Sequence, residues 1–440
     1  VYEAYKKWAG KSVYFAEGKF DQYERSIPYF AFIQAFKSLI DHFLTFSDHK
    51  LIELKQLILE ALGTEGKVLT EIVPQLKLII GEQDPVPELR GVESQNRFRY
   101  LIRRFINAVS SEDSPLVFFI DDLQWADSPS LELLKTILTD PNGKYLLCIG
   151  AFRSNEVRDS HPLQIKLNEI KKIGTAVEKI NLGNLSLEHV DDLIKESIQL
   201  NQENLLDFSQ LVYKKTQGNP FYLIEFLKSL YDESLLSFDS KTGVWKWDLG
   251  QIQLKNVTSN VVDLLADKFK NYAPDTLLCM KKAACIGAFF DIETLAIACK
   301  KDKKWVNGAI QQCLSENIVF KINNEEYKFS HDKFQQSFYS LIDKKDRIIY
   351  HYELGRLLLE QRQHEQIEIQ LFDIVNHYNI GGALITDHKE KIKLATLNLR
   401  ASNKAKINSA FDVGYNLAKK GIELLPIGSW DENYSLTLNL

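Results

Sequence analysis

Residues 116–134 read LVFFIDDLQWADSPSLELL. An unbroken apolar run, 116–120, ends in two carboxylates, Asp121 and Asp122. Such a run predicts a strand covered on both faces, as in a parallel sheet flanked by helices. The carboxylates then stand at the strand's C-terminal end, where open α/β sheets place their ligands. Beyond them Asp127 or Ser128 caps a helix, and Pro129 suits its first turn.

Working outward, the runs 13–16, 145–151 and 177–182 predict further strands, and the periodic stretches 27–44, 51–62 and 98–109 predict helices between them. That alternation reads as α/β. After Leu182 the pattern turns helical, with a Ser186 cap and helices over 205–215 and 221–231. Residues 235–249 alternate around DSKTG and predict a β-hairpin. Residues 257–342 predict helices followed by a small hairpin turning at Asn323-Asn324-Glu325, the pattern of a winged helix. The helix that would enter a DNA groove, 305–316, carries no Lys or Arg and is rich in apolar residues, so it reads as a packing element. From Lys344 onward the chain is helical. Residues 395–425 carry Ala401, Ala405, Ala410 and Ala418, which let two helices approach closely in a tetratricopeptide-like hairpin. Such arrays need neighbours to bury their faces, so the C-terminus reads as truncated.

Composition narrows the classes. The 440 residues suffice for two to four domains. A net charge of −5 argues against a general binder of nucleic acid. The 5 cysteines lie among apolar residues without CxxC pairing, as buried thiols of a reducing compartment do. With no apolar span long enough for a membrane, a cytoplasmic location is expected.

Gly10-Lys11-Ser12 imitates the end of a phosphate-binding loop. However, the position five before Gly10 is Tyr5, and the order is helix, turn, strand, the reverse of what the loop needs. It reads as a helix-to-strand turn with a surface Lys11.

The residues that bear chemistry follow. The strand ending in Asp121-Asp122 has the form of a Walker-B motif, whose first carboxylate holds Mg²⁺, usually through water, while the second orients an attacking water. The plain alternative is a strand ending in a polar turn. Arg153, straight after the run 145–151, points at the same crevice and either senses a phosphate or is a surface arginine. In TQGNPFYL, Gly218 and Pro220 stop one helix and start the next, or form a rigid turn against a base. His331, beside Asp332, is either structural or a phosphate donor whose tautomer Asp332 fixes.

Together these motifs resemble the signal-transduction ATPases with numerous domains (the STAND class, AAA-like). In particular, the chain resembles the ATPase segment of large signalling serine/threonine and histidine kinases. The matching stretches are FAEGKFDQYERSIPYFAFIQAF, ESQNRF, FFIDDLQWADSPSLELL, GNPFYLIEFL, AACIGAFFDIETLA and FSHDKFQQSFYSLI. The resemblance implies an α/β P-loop NTPase core over 1–185, a helical lid with hairpin over 186–256, a winged helix over 257–345 and tetratricopeptide-like helices over 346–440. It implies Asp121 as the Mg²⁺-linked acid, and Asp122 and Arg153 as catalytic. Gly218, Pro220 and His331 would then bind nucleotide, the histidine at the β-phosphate of ADP; Ser330 stands where some relatives carry Met. The family's phosphate loop and first strand are absent, which implies a core truncated after that loop. The strands at 145–151 and 177–182 should therefore flank a gap.

The expected function is an ATP/ADP-dependent regulatory switch with Mg²⁺, an ATPase in the intact protein but inactive as this fragment. Its expected partners are kinase, sensor and histidine-kinase domains of the same polypeptide, and proteins reached through the helical repeats. A nucleotide-free scaffold is the alternative, and a DNA-binding regulator is a third class that the acidic balance disfavours.

Overall fold

A computed structural model describes residues 13–21, 27–87, 89, 92–198, 205–254, 261–407 and 410–440. Gly10-Lys11-Ser12 and the helix expected before it lie outside the described residues. The chain divides into two compact units. One joins the described residues up to Val177 with Ile348–Leu440, and the other is Glu178–Arg347.

The first unit is built on a parallel sheet of order β1-β2-β3: β1 (Tyr14–Lys19), β2 (Leu116–Asp121) and β3 (Leu146–Gly150). Parallel neighbours need crossovers. The first crossover includes α1 (Phe30–Phe43), α2 (Asp48–Leu62) and α3 (Val92–Val109), and the second is α4 (Ser128–Leu138). In α1, Ala31, Phe32, Ala35, Phe36, Leu39, Ile40 and Phe43 are buried, a single helical stripe. Phe36 meets Phe105 and Phe118 edge-on, at 5.7 and 5.4 Å. Gly18 makes the close approach of α1 to β1 possible, because a Cβ there would lie 1.8 Å from the Ala31 carbonyl oxygen. Asp127 is the α4 cap, accepting from the Ser130 N–H at 2.8 Å and the Ser130 hydroxyl at 2.6 Å.

The expected strand at 177–182 is not one. Ile180 and Leu182 are 85% and 93% exposed, and the segment forms no ladder. Alternating apolar residues make a strand only when another strand offers its N–H and C=O groups. Among the described residues β3 is an edge strand, paired with β2 alone.

The second unit begins with α5 (Leu187–Ile198), α6 (Leu205–Thr216), α7 (Pro220–Asp232) and the hairpin of β4 (Leu236–Asp239) and β5 (Val244–Trp247). Trp247 stacks on Phe208 at 5.1 Å and ties the hairpin to those helices. Next come α8 (Val261–Phe269), α9 (Pro274–Ile286), β6 (Phe289–Asp291), α10 (Ile292–Cys299), α11 (Lys303–Ser315), β7 (Val319–Lys321), β8 (Glu326–Phe329) and α12 (Asp332–Ser340). The strands form an antiparallel sheet of order β6-β8-β7. In α11, Val306, Ala309, Ile310 and Cys313 are buried in the core of this unit.

The first unit resumes at Ile348, within α13 (Lys344–Gln361), and continues with α14 (Leu371–Ile380), α15 (His388–Ile407) and α16 (Phe411–Leu424). α15 and α16 form an antiparallel hairpin: the Ser402 hydroxyl donates to Gly414 O at 2.8 Å, and Asn398 faces Gly421 one layer on. Of the four alanines expected at this contact, Ala401, Ala405 and Ala410 are buried, and Ala418 is half-buried. Leu371, Val375 and Leu394 join the same apolar core as the sheet. All 5 cysteines are free, and burial pushes the thiols of Cys148, Cys285 and Cys313 up to about 12. No helix among the described residues is long and apolar enough to cross a membrane.

Candidate functional site

β2 delivers Asp121 to the carboxyl end of the sheet, and the chain turns there at once. Asp122 takes a left-handed conformation, φ 53°, which a short polar side chain tolerates better than most. Its N–H donates to Asp121 Oδ1 at 2.9 Å. Leu123 N–H donates to Ala151 O, and Ala151 N–H to Ile120 O, both at 2.9 Å, so the turn is pinned to the end of β3.

That pinning brings Arg153 to Asp122. Its Nε lies 3.6 Å from Asp122 Oδ1, and its guanidinium sits 5.1 Å from the centre of the Trp125 ring. Gln124 bridges the two: its Nε2 donates to Asp122 Oδ1 at 2.7 Å, and its Oε1 accepts from the Arg153 N–H at 3.2 Å. Lys19 completes the cluster. Its Nζ is 3.0 Å from Asp122 Oδ2 and 3.7 Å from Asp121 Oδ2. Asp122 is only 5% exposed, and a carboxylate so buried needs paired charge and hydrogen bonds. Asp121, by contrast, keeps 34% of its side chain in water. Asp127 plays no part in this cluster beyond starting α4, and burial holds its carboxyl above the usual range.

Asp121, Asp122 and Arg153 therefore converge as their sequence positions imply. Lys19 and Gln124 are additions. The available signal for Lys19 was its place three residues past the apolar run 13–16, and for Gln124 its place inside the turn.

Gly218, Pro220 and His331 all lie in the second unit. Gln217 and Gly218 both have positive φ, 52° and 70°. A Cβ on Gly218 would meet Leu185 O at 2.1 Å, whereas the glycine exchanges a backbone bond there, Leu185 N–H to Gly218 O at 2.8 Å. Asn219 caps α7 by accepting from the Tyr222 N–H at 3.0 Å, and Pro220 occupies its first turn. The next residue, Phe221, stacks face to face on His331 with ring centres 4.0 Å apart. His331 Nδ1 has two competing partners, the Lys333 N–H at 3.1 Å and Asp332 Oδ1 at 2.7 Å. The first requires a bare Nδ1 and the second a protonated one. Donation from Nε2 to a phosphate therefore goes with the capping tautomer or with the imidazolium.

The first cluster suits Mg²⁺ held in the usual way for that ion. One accessible carboxylate, Asp121, offers a hard oxygen, and phosphates and water supply the remaining ligands. No group of three or more His, Cys, Asp or Glu among the described residues forms a closed metal cage. Asp122, already held by Gln124, Arg153 and Lys19, is placed to orient a neighbour rather than to ligate.

Comparison with known proteins agrees with the motifs. Residues 1–149 match the family model of the AAA ATPase domain. Across its whole length the chain is 27% identical to "Hybrid signal transduction histidine kinase G" of Dictyostelium discoideum, covering 16% of that protein. Over 76% of its length it is 22% identical to "Peroxide stress-activated histidine kinase mak3" of Schizosaccharomyces pombe, covering 14% of it. The chain thus spans about a sixth of the length of these relatives. A crystal structure of a STAND protein with a tetratricopeptide repeat sensor, from Pyrococcus horikoshii, aligns with 96% of this chain and 53% of its own, at 13% identity and a TM-score of 0.44. The resemblance read from the motifs therefore stands: residues 1–149 match an AAA ATPase domain, and the chain as a whole is similar to a stretch of a signalling histidine kinase.

Proposed function

We propose that this chain is a nucleotide-dependent regulatory switch within a larger, cytoplasmic signalling protein. The observation that carries the reading is the convergence of Asp121, Asp122 and Arg153 at the carboxyl end of a parallel sheet. Asp121 would hold Mg²⁺ through water, Asp122 would orient the attacking water, and Arg153 would sense the terminal phosphate. Bound Mg²⁺ supplies charge neutralisation at the phosphates. Gly218 and Pro220 form the turn that packs on the adenine. Residues 257–345 act as a winged helix whose His331 donates to the β-phosphate of ADP. Residues 346–440 act as tetratricopeptide-like helices that pass the state to kinase domains of the same polypeptide or to protein partners.

A ligand moves such an equilibrium only by its difference in affinity for the two states. A hydrogen bond from His331 to a charged phosphate contributes roughly 1.5–3 kcal/mol, a factor of about 10 to 150. Throwing the switch from 1:99 to 99:1 takes about 5.5 kcal/mol, so further contacts must change with the nucleotide. Calorimetry with MgADP and MgATP on the full-length protein tests the reading. Micromolar binding that weakens at least tenfold in Asp121→Asn is expected. No binding by the wild type would favour a nucleotide-free scaffold instead.

A further inference from the structure

Lys19 stands where a metal ion would otherwise neutralise the two carboxylates. It ends β1 in direct register with Asp121 across the sheet. Its main chain is fixed, because its N–H donates to Gln34 Oε1 at 3.0 Å and the preceding Gly18 is packed on the Ala31 backbone. Its ammonium, on a flexible four-carbon stem, is 28% exposed and reaches both Asp122 Oδ2 and Asp121 Oδ2. Asp122 has Gln124 and Arg153 as well. The exposed carboxylate, Asp121, is the one a hard cation would take, and a cation there would lie within a few ångström of the Lys19 charge.

From this geometry we infer that Lys19 is a positioning residue, the resident counter-ion of the Asp121–Asp122 pair, which keeps divalent metal off Asp121 until a phosphate accompanies it. The inference rests on the switch reading for the identity of that phosphate, but the exclusion of free metal stands on the cluster alone. It makes metal and nucleotide enter together and suppresses idle metal binding.

The test uses Mn²⁺ alone, without nucleotide, and reads bound and free ion by electron paramagnetic resonance on the whole chain. The wild type is expected to bind Mn²⁺ only in the millimolar range. Lys19→Met should bind at least tenfold more tightly, Lys19→Arg should behave as wild type, and adding Asp121→Asn to Lys19→Met should abolish the gain. A Lys19→Met affinity equal to wild type, or a gain that survives Asp121→Asn, overturns the inference. If circular dichroism shows that Lys19→Met is unfolded, Lys19→Gln carries the same comparison. Because no nucleotide is present, the result is separable from the switch reading, which fails on its own if the full-length protein binds neither ADP nor ATP.

Discussion

Replacing Gly18 by alanine should damage the first unit at the point where its sheet carries the candidate site. The added Cβ would fall 1.8 Å from Ala31 O, 2.7 Å from Ala31 C and 3.2 Å from Ala31 Cα. All three are backbone atoms, so no side-chain rotation relieves the clash. β1 and α1 must separate by more than an ångström, yet Ala31, Ala35 and Leu39 on that face are completely buried. Overpacking typically costs about 1–3 kcal/mol, and a backbone clash belongs at the upper end, about 2–3 kcal/mol. Hydrogen exchange at the β1 amides, Tyr14–Lys19, reads this locally, and the loss corresponds to exchange roughly 30- to 150-fold faster. Gly174→Ala is the control. Its φ is +101° but nothing lies within 4 Å of the added Cβ, so it carries backbone strain of about 1–2 kcal/mol and leaves β1 exchange unchanged. Exchange in Gly18→Ala within threefold of wild type would refute the packing argument.

Three further outcomes are expected. In the second unit Gly218→Ala should destabilise more than Asn219→Ala in urea titrations. The first meets both a φ of +70° and Leu185 O, while the second loses one cap worth roughly 1 kcal/mol. Phe221→Leu should loosen His331, seen as altered imidazole chemical shifts, because it removes the ring stacked on that imidazole. Stability should also fall with acid through the buried pair His351–His377, whose Nδ1 atoms are 3.0 Å apart. Burial and the facing His351 lower His377 to about 3, below its unfolded value of about 6.5. Its neutral-state stability is present above the unfolded value and is lost as pH falls below it, by about 1 kcal/mol at pH 5.5. Burial raises Asp373 to about 6, which works in the opposite direction, so the measurement is wild type minus His377→Gln between pH 7 and 5.5.

Local pattern carried the parts of this fold that depend on local pattern. LVFFID reads as a covered strand with the carboxylates at its end, because it is short, rich in β-branched and aromatic residues and apolar on both faces. The stripe of α1, the Ser186 start of α5 and the turn at Asn323–Glu325 were legible for the same reason. Residues 177–182 were misread because alternation describes a strand's faces but not its ladder. Lys19 was missed because its function depends on register with Asp121, across a crossover of about a hundred residues. The Phe221–His331 stack and the His351–His377 pair are likewise meetings of distant helix ends and faces that no spacing reveals.

The central claim is that nucleotide identity is read through His331. Its most direct test is the ratio of ADP to ATP affinity on the full-length protein, wild type against His331→Ala, by calorimetry in Mg²⁺. The account predicts that the wild type prefers ADP, and that the variant loses at least tenfold of that preference while ATP binding changes little. An unchanged ratio, or equal loss of both nucleotides, would contradict it.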